Sequence, residues 1–326
     1  MSLFSAVADF LKPSPPPDPA VREALERAAE LIDPMLRAAV ADFDDALSAP
    51  ITHALNYCDG LVAALPGPLD VNRQAFATDP LVHALFATAD DIRQMLGRSE
   101  AVRDFLAGPD ARENEQFFVM LAARRMQRQQ LALAEQGGII RSEVPQTVVY
   151  FSGQTLIEPS CQLDEMRQRL RRKALESLLL SFQSHVQALR EEREGLRAEL
   201  SAGRAQQKAL QGNAECGVRT RHLVELDRTL RDKAESLMPE QLVAALADHL
   251  RAPESALFLT PASVTVDRMG VVQAQANDDD VFTLDFPELT ARDRRQYLTT
   301  LARISREEAL EAVAMVRDEQ RRFMII

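Results

Sequence analysis

The residues whose types and spacing could do chemistry are few. Asp79 and His83 lie four apart at the start of a stretch that reads as helix over 79–97, so both could face one ligand. Asp90 and Asp91 follow two to three turns on. A metal centre needs three or four convergent ligands, and only two are argued locally. The plainer reading is an Asp set against the positive end of a helix and a surface His. His222 and Glu225 lie on a helical surface that offers no pocket.

A nucleophile is no better supported. Cys58 shares a helical face with Leu55, Leu61 and Val62, which marks it as a buried small hydrophobe and leaves a dyad with His53 without any orienting neighbour. Asn277-Asp278-Asp279-Asp280 resembles the opening of a calcium loop. It lacks the glycine and the glutamate that complete one, so it reads as a solvated loop between strands. No GxSxG, GxGxxG or phosphate-binding P-loop occurs. The chain therefore offers no catalytic residue, no metal ligand set and no cofactor motif.

Charge points in the same direction. The formal charge is −11, and an acidic chain repels a phosphate backbone. The densest positive run is Arg167, Arg169, Arg171, Arg172 and Lys173; Arg124, Arg125 and Arg128 form a second. Both fall on segments that read as helix with an apolar face, so a solvated face is the first reading and an anionic partner the second. No aromatic residues interleave with them as single-strand stacking would require. All the basic residues except Lys12, Lys173, Lys208 and Lys233 are arginine, a skew expected of a GC-rich, bacterial genome.

Partner-binding candidates come from elsewhere. Leu3, Phe4, Val7, Phe10 and Leu11 recur at helical spacing, and Pro13, Pro15, Pro16, Pro17 and Pro19 follow as a semi-rigid tether. This apolar helix either folds back on its own domain or docks on a partner protein. Its single Lys and single Asp make a poor match for a membrane surface.

The elements that must position these residues follow from periodicity. Asp18-Pro19 and Asp33-Pro34 are helix starts. Helices read on through 50–65, 79–97, 99–107 and 111–136, giving a helical bundle over 20–138. Thr147–Phe151 and Thr155–Ile157, with Ser152-Gly153 between them, read as a β-hairpin. Leu175, Phe182, Leu189, Leu196, Gly203 and Leu210 then fall seven apart, with Leu179, Val186, Arg193, Leu200 and Gln207 four residues on. This is the seam of a coiled-coil arm, with polar defects at Arg193 and Gln207. Gly212–Gly217 breaks it, and Leu223, Leu226, Leu230 and Leu237 return. Candidate strands follow within 257–286.

The expected architecture is α+β and mainly α. It has a tethered helix over 1–19, the bundle, a small antiparallel β-sheet from 139–160 and 251–289, a long antiparallel helical hairpin over 161–250 emerging from that sheet, and C-terminal helices over 290–326. The cysteines, Cys58, Cys161 and Cys216, form no framework, and no apolar run could span a membrane, so a cytoplasmic protein is expected. Function stays open between three readings. An interaction or scaffold protein would bind other proteins, or a second copy, through the arm or the N-terminal helix, with Arg167, Arg171, Arg172, Lys173 and Arg193 as further contact candidates. An enzyme of unrecognised type would have its site between bundle and sheet. A regulator would contact nucleic acid through 167–173.

Overall fold

The heptad pattern becomes one 47-residue helix, Leu163–Ala209, followed by Cys216–Ser236 and Pro239–Arg251. The computed structural model describes residues 18–136, 139–209, 216–273, 280–291 and 294–323, and backbone alone for 132–143, 209, 216–219, 322 and 323. The N-terminal candidates Leu3, Phe4, Val7, Phe10 and Leu11, and the loop residues 277–279, lie outside the described residues. The chain divides into two compact units, residues 1–56 with 178–253, and residues 57–177 with 254–326.

The first unit is helical. α1 (Pro19–Ile32) starts where Asp18 accepts a bond from Ala20 N and Pro19 occupies the first turn. It ends at Asp33, whose extended backbone precedes Pro34. α2 (Leu36–Ala39) and α3 (Phe43–Ala63) follow. α3 runs through Pro50, because Leu47, Ile51 and Ala54 are fully buried and packing holds the turn that proline weakens. α8 (Leu163–Ala209) enters this unit at residue 178. Leu178, Leu179, Phe182 and Val186 are buried there, as are Leu242, Val243, Leu246 and Leu250 of α10 (Pro239–Arg251). Gln183 Nε2 donates to Leu31 O at 2.5 Å, and Arg190 pairs with Asp33 at 3.0 Å.

Beyond Val186 the helix pairs antiparallel with α9 (Cys216–Ser236). Leu200, Leu223 and Leu226 are buried together, with Leu196 and Leu230 against them. Glu192–Lys233, Glu199–His222 and Arg204–Asp227 link the flanks. Gln207, a polar defect by sequence, donates to Thr220 Oγ1 at 2.8 Å across the hairpin. Arg193, expected inside the seam, is half-buried and paired with its neighbour Glu194. Pro239 opens a new helix, as its missing N–H requires.

The second unit is built on a sheet. β2 (Gln116–Gln136) and β3 (Ile139–Ser160) form a long antiparallel ribbon. β6 (Gln296–Ser305), β5 (Val281–Thr290) and β4 (Phe258–Asp267) complete the order β3-β2-β6-β5-β4, and β1 (Leu69–Asp70) runs parallel to β6. The two ends of this order also meet. Val149 N donates to Gly270 O and Val272 N to Thr147 O, both at 2.8 Å, while Val266 bridges Val272. Residues 270–273 thus pair with β4 on one side and β3 on the other, and the sheet closes on itself. Closure removes edges that would otherwise invite pairing with another chain.

Period-two alternation assigns the faces of β2. Phe117, Val119, Leu121 and Ala123 join the main core with Leu298, Ala302 and Ile304. That core is covered by α4 (Arg73–Thr78), α5 (Pro80–Leu85), α6 (Ala89–Arg98), α7 (Glu100–Ala107) and α11 (Arg306–Phe323). Phe118 and Met120 face the other way, against Val62, Met166, Leu170 and Leu301.

Three expectations are corrected. Residues 116–136, read as the last helix of the bundle, are strand, so the helical run ends at α7 and a short turn. Residues 296–305, read as C-terminal helix, are the strand between β2 and β5, and only Arg306–Phe323 is helical beyond them. Ser152-Gly153 is a bulge and not a hairpin turn. Ala122 pairs with Thr155 and Arg124 with Ser152, so β3 carries one extra residue there, and Gly153 takes φ +66° to absorb it. The expected pairing of 147–157 with strands in 257–286 is present through residues 270–273 and through the common sheet.

Candidate functional site

Among the described residues, no group of three or more His, Cys, Asp or Glu side chains is placed to hold a metal ion. Asp79 Oδ1 accepts from Leu81 N at 2.8 Å and Val82 N at 3.1 Å, which makes it the cap of α5. His83 Nδ1 lies 3.2 Å from Phe76 O, and its ring packs on Phe76 at 4.8 Å. Asp91 forms a reciprocal capping box with Thr88. The spacing that suggested ligands is spent on helix ends.

Cys58 is fully buried, and burial pushes its thiol up to about 12. The thiolate needed for a nucleophile is therefore inaccessible near neutral pH. Cys161 is partly exposed, donates to Asp110 O, and is also raised by burial.

The positive run on α8 is matched by acids of the same unit. Arg167 pairs with Asp164 at 3.3 Å, Arg169 with Glu165 at 2.6 Å, and Arg171 with Asp59 at 3.0 Å. Lys173 pairs with Glu176 at 3.1 Å, and Arg172 lowers the pKa of Glu165 from nearby. Glu165 is held down chiefly by the Ser160 hydroxyl, which donates at 2.6 Å, and then by Arg169. In the second run Arg125 forms a two-pronged bond with Glu288 at 2.7 and 3.1 Å. Few of these cations are left to face a phosphate.

The feature that sequence reasoning missed is a cleft of about 670 Å³ where the sheet closes. α4 and α5 form one side; β3, the end of β4 and β5 form the other. Phe86 and Phe151 are buried in its lining, which Phe76, Tyr150 and Phe282 complete as an aromatic set. Tyr150 is 43 % exposed. Gly270 shapes the rim: φ is +78°, and a Cβ there would lie 2.5 Å from Val149 O. The lining comes from residues 76–87, 149–151, 266–270 and 282–284, so no local motif could announce it.

No family model matches this chain, and neither a curated protein nor a solved structure does. No helix among the described residues is long and apolar enough to cross a membrane.

Proposed function

We propose that this protein is an interaction protein that binds other proteins through the helical hairpin of α8 and α9. The observation that carries the reading is how little the hairpin buries for its length. Ordering each residue costs about 1–2 kcal/mol of backbone entropy. Past Val186, the hairpin returns a narrow seam of Leu196, Leu200, Leu223, Leu226 and Leu230, with two ion pairs and a His222–Glu199 contact along its flanks. A structure that is mostly surface is suited to binding through that surface. Val224, next to the seam, is 66 % exposed. Arg193, half-buried and ion-paired with its neighbour Glu194, stands on the same stretch as a contact residue.

The ion-paired state of 167–173 favours a protein partner over nucleic acid. The test is site-specific photocrosslinking in the full chain, with the crosslinker at Val224 and, as control, at exposed Leu310 on α11. Adducts to one protein from Val224 and none from Leu310 support the reading. Equal yields from both positions, or no adduct from Val224, refute it.

A further inference from the structure

We infer that the aromatic cleft at the closure of the sheet binds a small organic cation, an amine or quaternary ammonium carried on an apolar body. The inference is separate from the hairpin and rests on three observations.

The first is shape. A volume of about 670 Å³ lies inside the range of small-molecule sites, roughly 300–1,000 Å³. The second is composition. Aromatic residues are 5 % of the chain, 14 Phe and 3 Tyr, yet Phe76, Phe86, Tyr150, Phe151 and Phe282 all line this opening. The face of an aromatic ring attracts a cation.

The third is charge. Asp79 and Asp267 stand on opposite elements of the lining, at the start of α5 and the end of β4. Both are held by neutral donors. Asp79 takes its two backbone bonds on Oδ1, and Asp267 Oδ1 accepts from Met269 N at 2.8 Å and Val271 N at 3.0 Å. Gln273 Nε2 reaches Asp267 Oδ2 at 3.3 Å. These bonds fix the carboxylates without cancelling their charge, and each carboxylate has about four acceptor positions. Arg268, also on the lining, is paired with Asp280 at 3.0 Å. The opening is therefore aromatic and net negative, which complements a cation and repels an anion of similar size.

The experiment is fluorescence titration of the full chain with proflavine, a flat aromatic cation, and with 1-anilinonaphthalene-8-sulfonate, an aromatic anion. Proflavine is expected to bind and the anion not to compete. Asp79→Asn keeps the helix cap, since Asn caps as well as Asp, and Asp267→Asn keeps the turn. Each is expected to weaken proflavine about fivefold, and Phe282→Leu by a similar factor. The control pair Asp232→Asn and Glu235→Gln removes two exposed charges on α9 and is expected to change nothing. Thermal melting of each variant reports whether it folds. Proflavine binding that the cleft variants leave unchanged, or that the control pair weakens equally, overturns the inference. So does tighter binding of the anion.

Discussion

Gly203 on α8 faces Leu223 on α9 so closely that a Cβ on the glycine would sit 2.6 Å from Leu223 Cδ2. The missing side chain in the heptad series is thus space occupied by the partner helix. Gly203→Leu should overfill the seam and cost about 1–3 kcal/mol, the usual penalty of overpacking. The measurement is hydrogen exchange of the α9 amides, which should speed up. Adding Leu223→Ala should restore protection, since the two sites couple directly. Exchange unchanged in the single variant would show that the helices do not pack through this pair.

Much of the hairpin was legible because its signal is local and repeated. The seam needs only leucines at intervals of seven, and the structure has helices on either side of the expected break, most of which, residues 210–215, lies outside the described residues. β2 was illegible for the opposite reason. Met126, Leu131 and the Ala, Gln and Arg residues around them favour helix by propensity, but the strand is fixed by partners far away, Thr155 and Thr299 beside Ala122 among them. Residues 117–123 are apolar throughout, with both faces of the strand covered, so no period-two alternation marked them, and the β-formers Phe117, Phe118 and Val119 were the one available cue. β6 gave none. Leu298, Leu301 and Ala302 recur at helical spacing, yet Leu298 to Ala302 are all buried, Thr299 and Thr300 among them, as in a strand covered on both faces. The cleft was hidden because four separated segments make it.

Gly97 on α6 marks a second close approach. A Cβ there would lie 2.4 Å from Ala312 O and 2.5 Å from Val316 Cγ2 on α11. Ala312 O belongs to a helix backbone and cannot yield as a side-chain tip can. Gly97→Ala gains about 1 kcal/mol of helix propensity. The clash should outweigh it, with a net loss of about 1–2 kcal/mol. Denaturant unfolding checks the sign: a variant as stable as the parent would mean that α6 and α11 have room to separate.

His249 on α10 predicts how the helical unit responds to acid. Its Nε2 lies 3.1 Å from Leu178 O, and its ring packs on Phe182 at 5.6 Å. Burial lowers its pKa below the ordinary 6.5, more than the bond to Leu178 O raises it, and His185 adds a smaller like-charge effect. A histidine with a lowered folded pKa binds its proton more readily when unfolded. Its contribution is full above about pH 6.5 and is lost as pH falls toward the folded value. Urea midpoints of the parent should therefore drop between pH 7.5 and 5 by more than those of His249→Gln. Parallel pH profiles would show that His249 does not carry the effect.

Arg125 and Glu288 make the last prediction. They reach across the sheet from β2 to β5, with Glu288 only 5 % exposed and Arg125 27 %. Removing the arginine alone leaves a carboxylate almost out of water and without its cation. Arg125→Met should then cost about 3–5 kcal/mol, the cost of breaking a buried pair. Arg125 is partly exposed, so water can approach and the lower end of that range applies. Glu288→Gln should cost less, because the orphaned arginine can turn toward solvent. Replacing both, Arg125→Met with Glu288→Leu, should recover most of the loss, since neither charge then needs hydration. Unfolding free energies of the four proteins form a double-mutant cycle that measures the coupling. Additive losses in that cycle would mean that the two side chains contribute independently, and the pair would then be a surface contact with no part in tying β2 to β5.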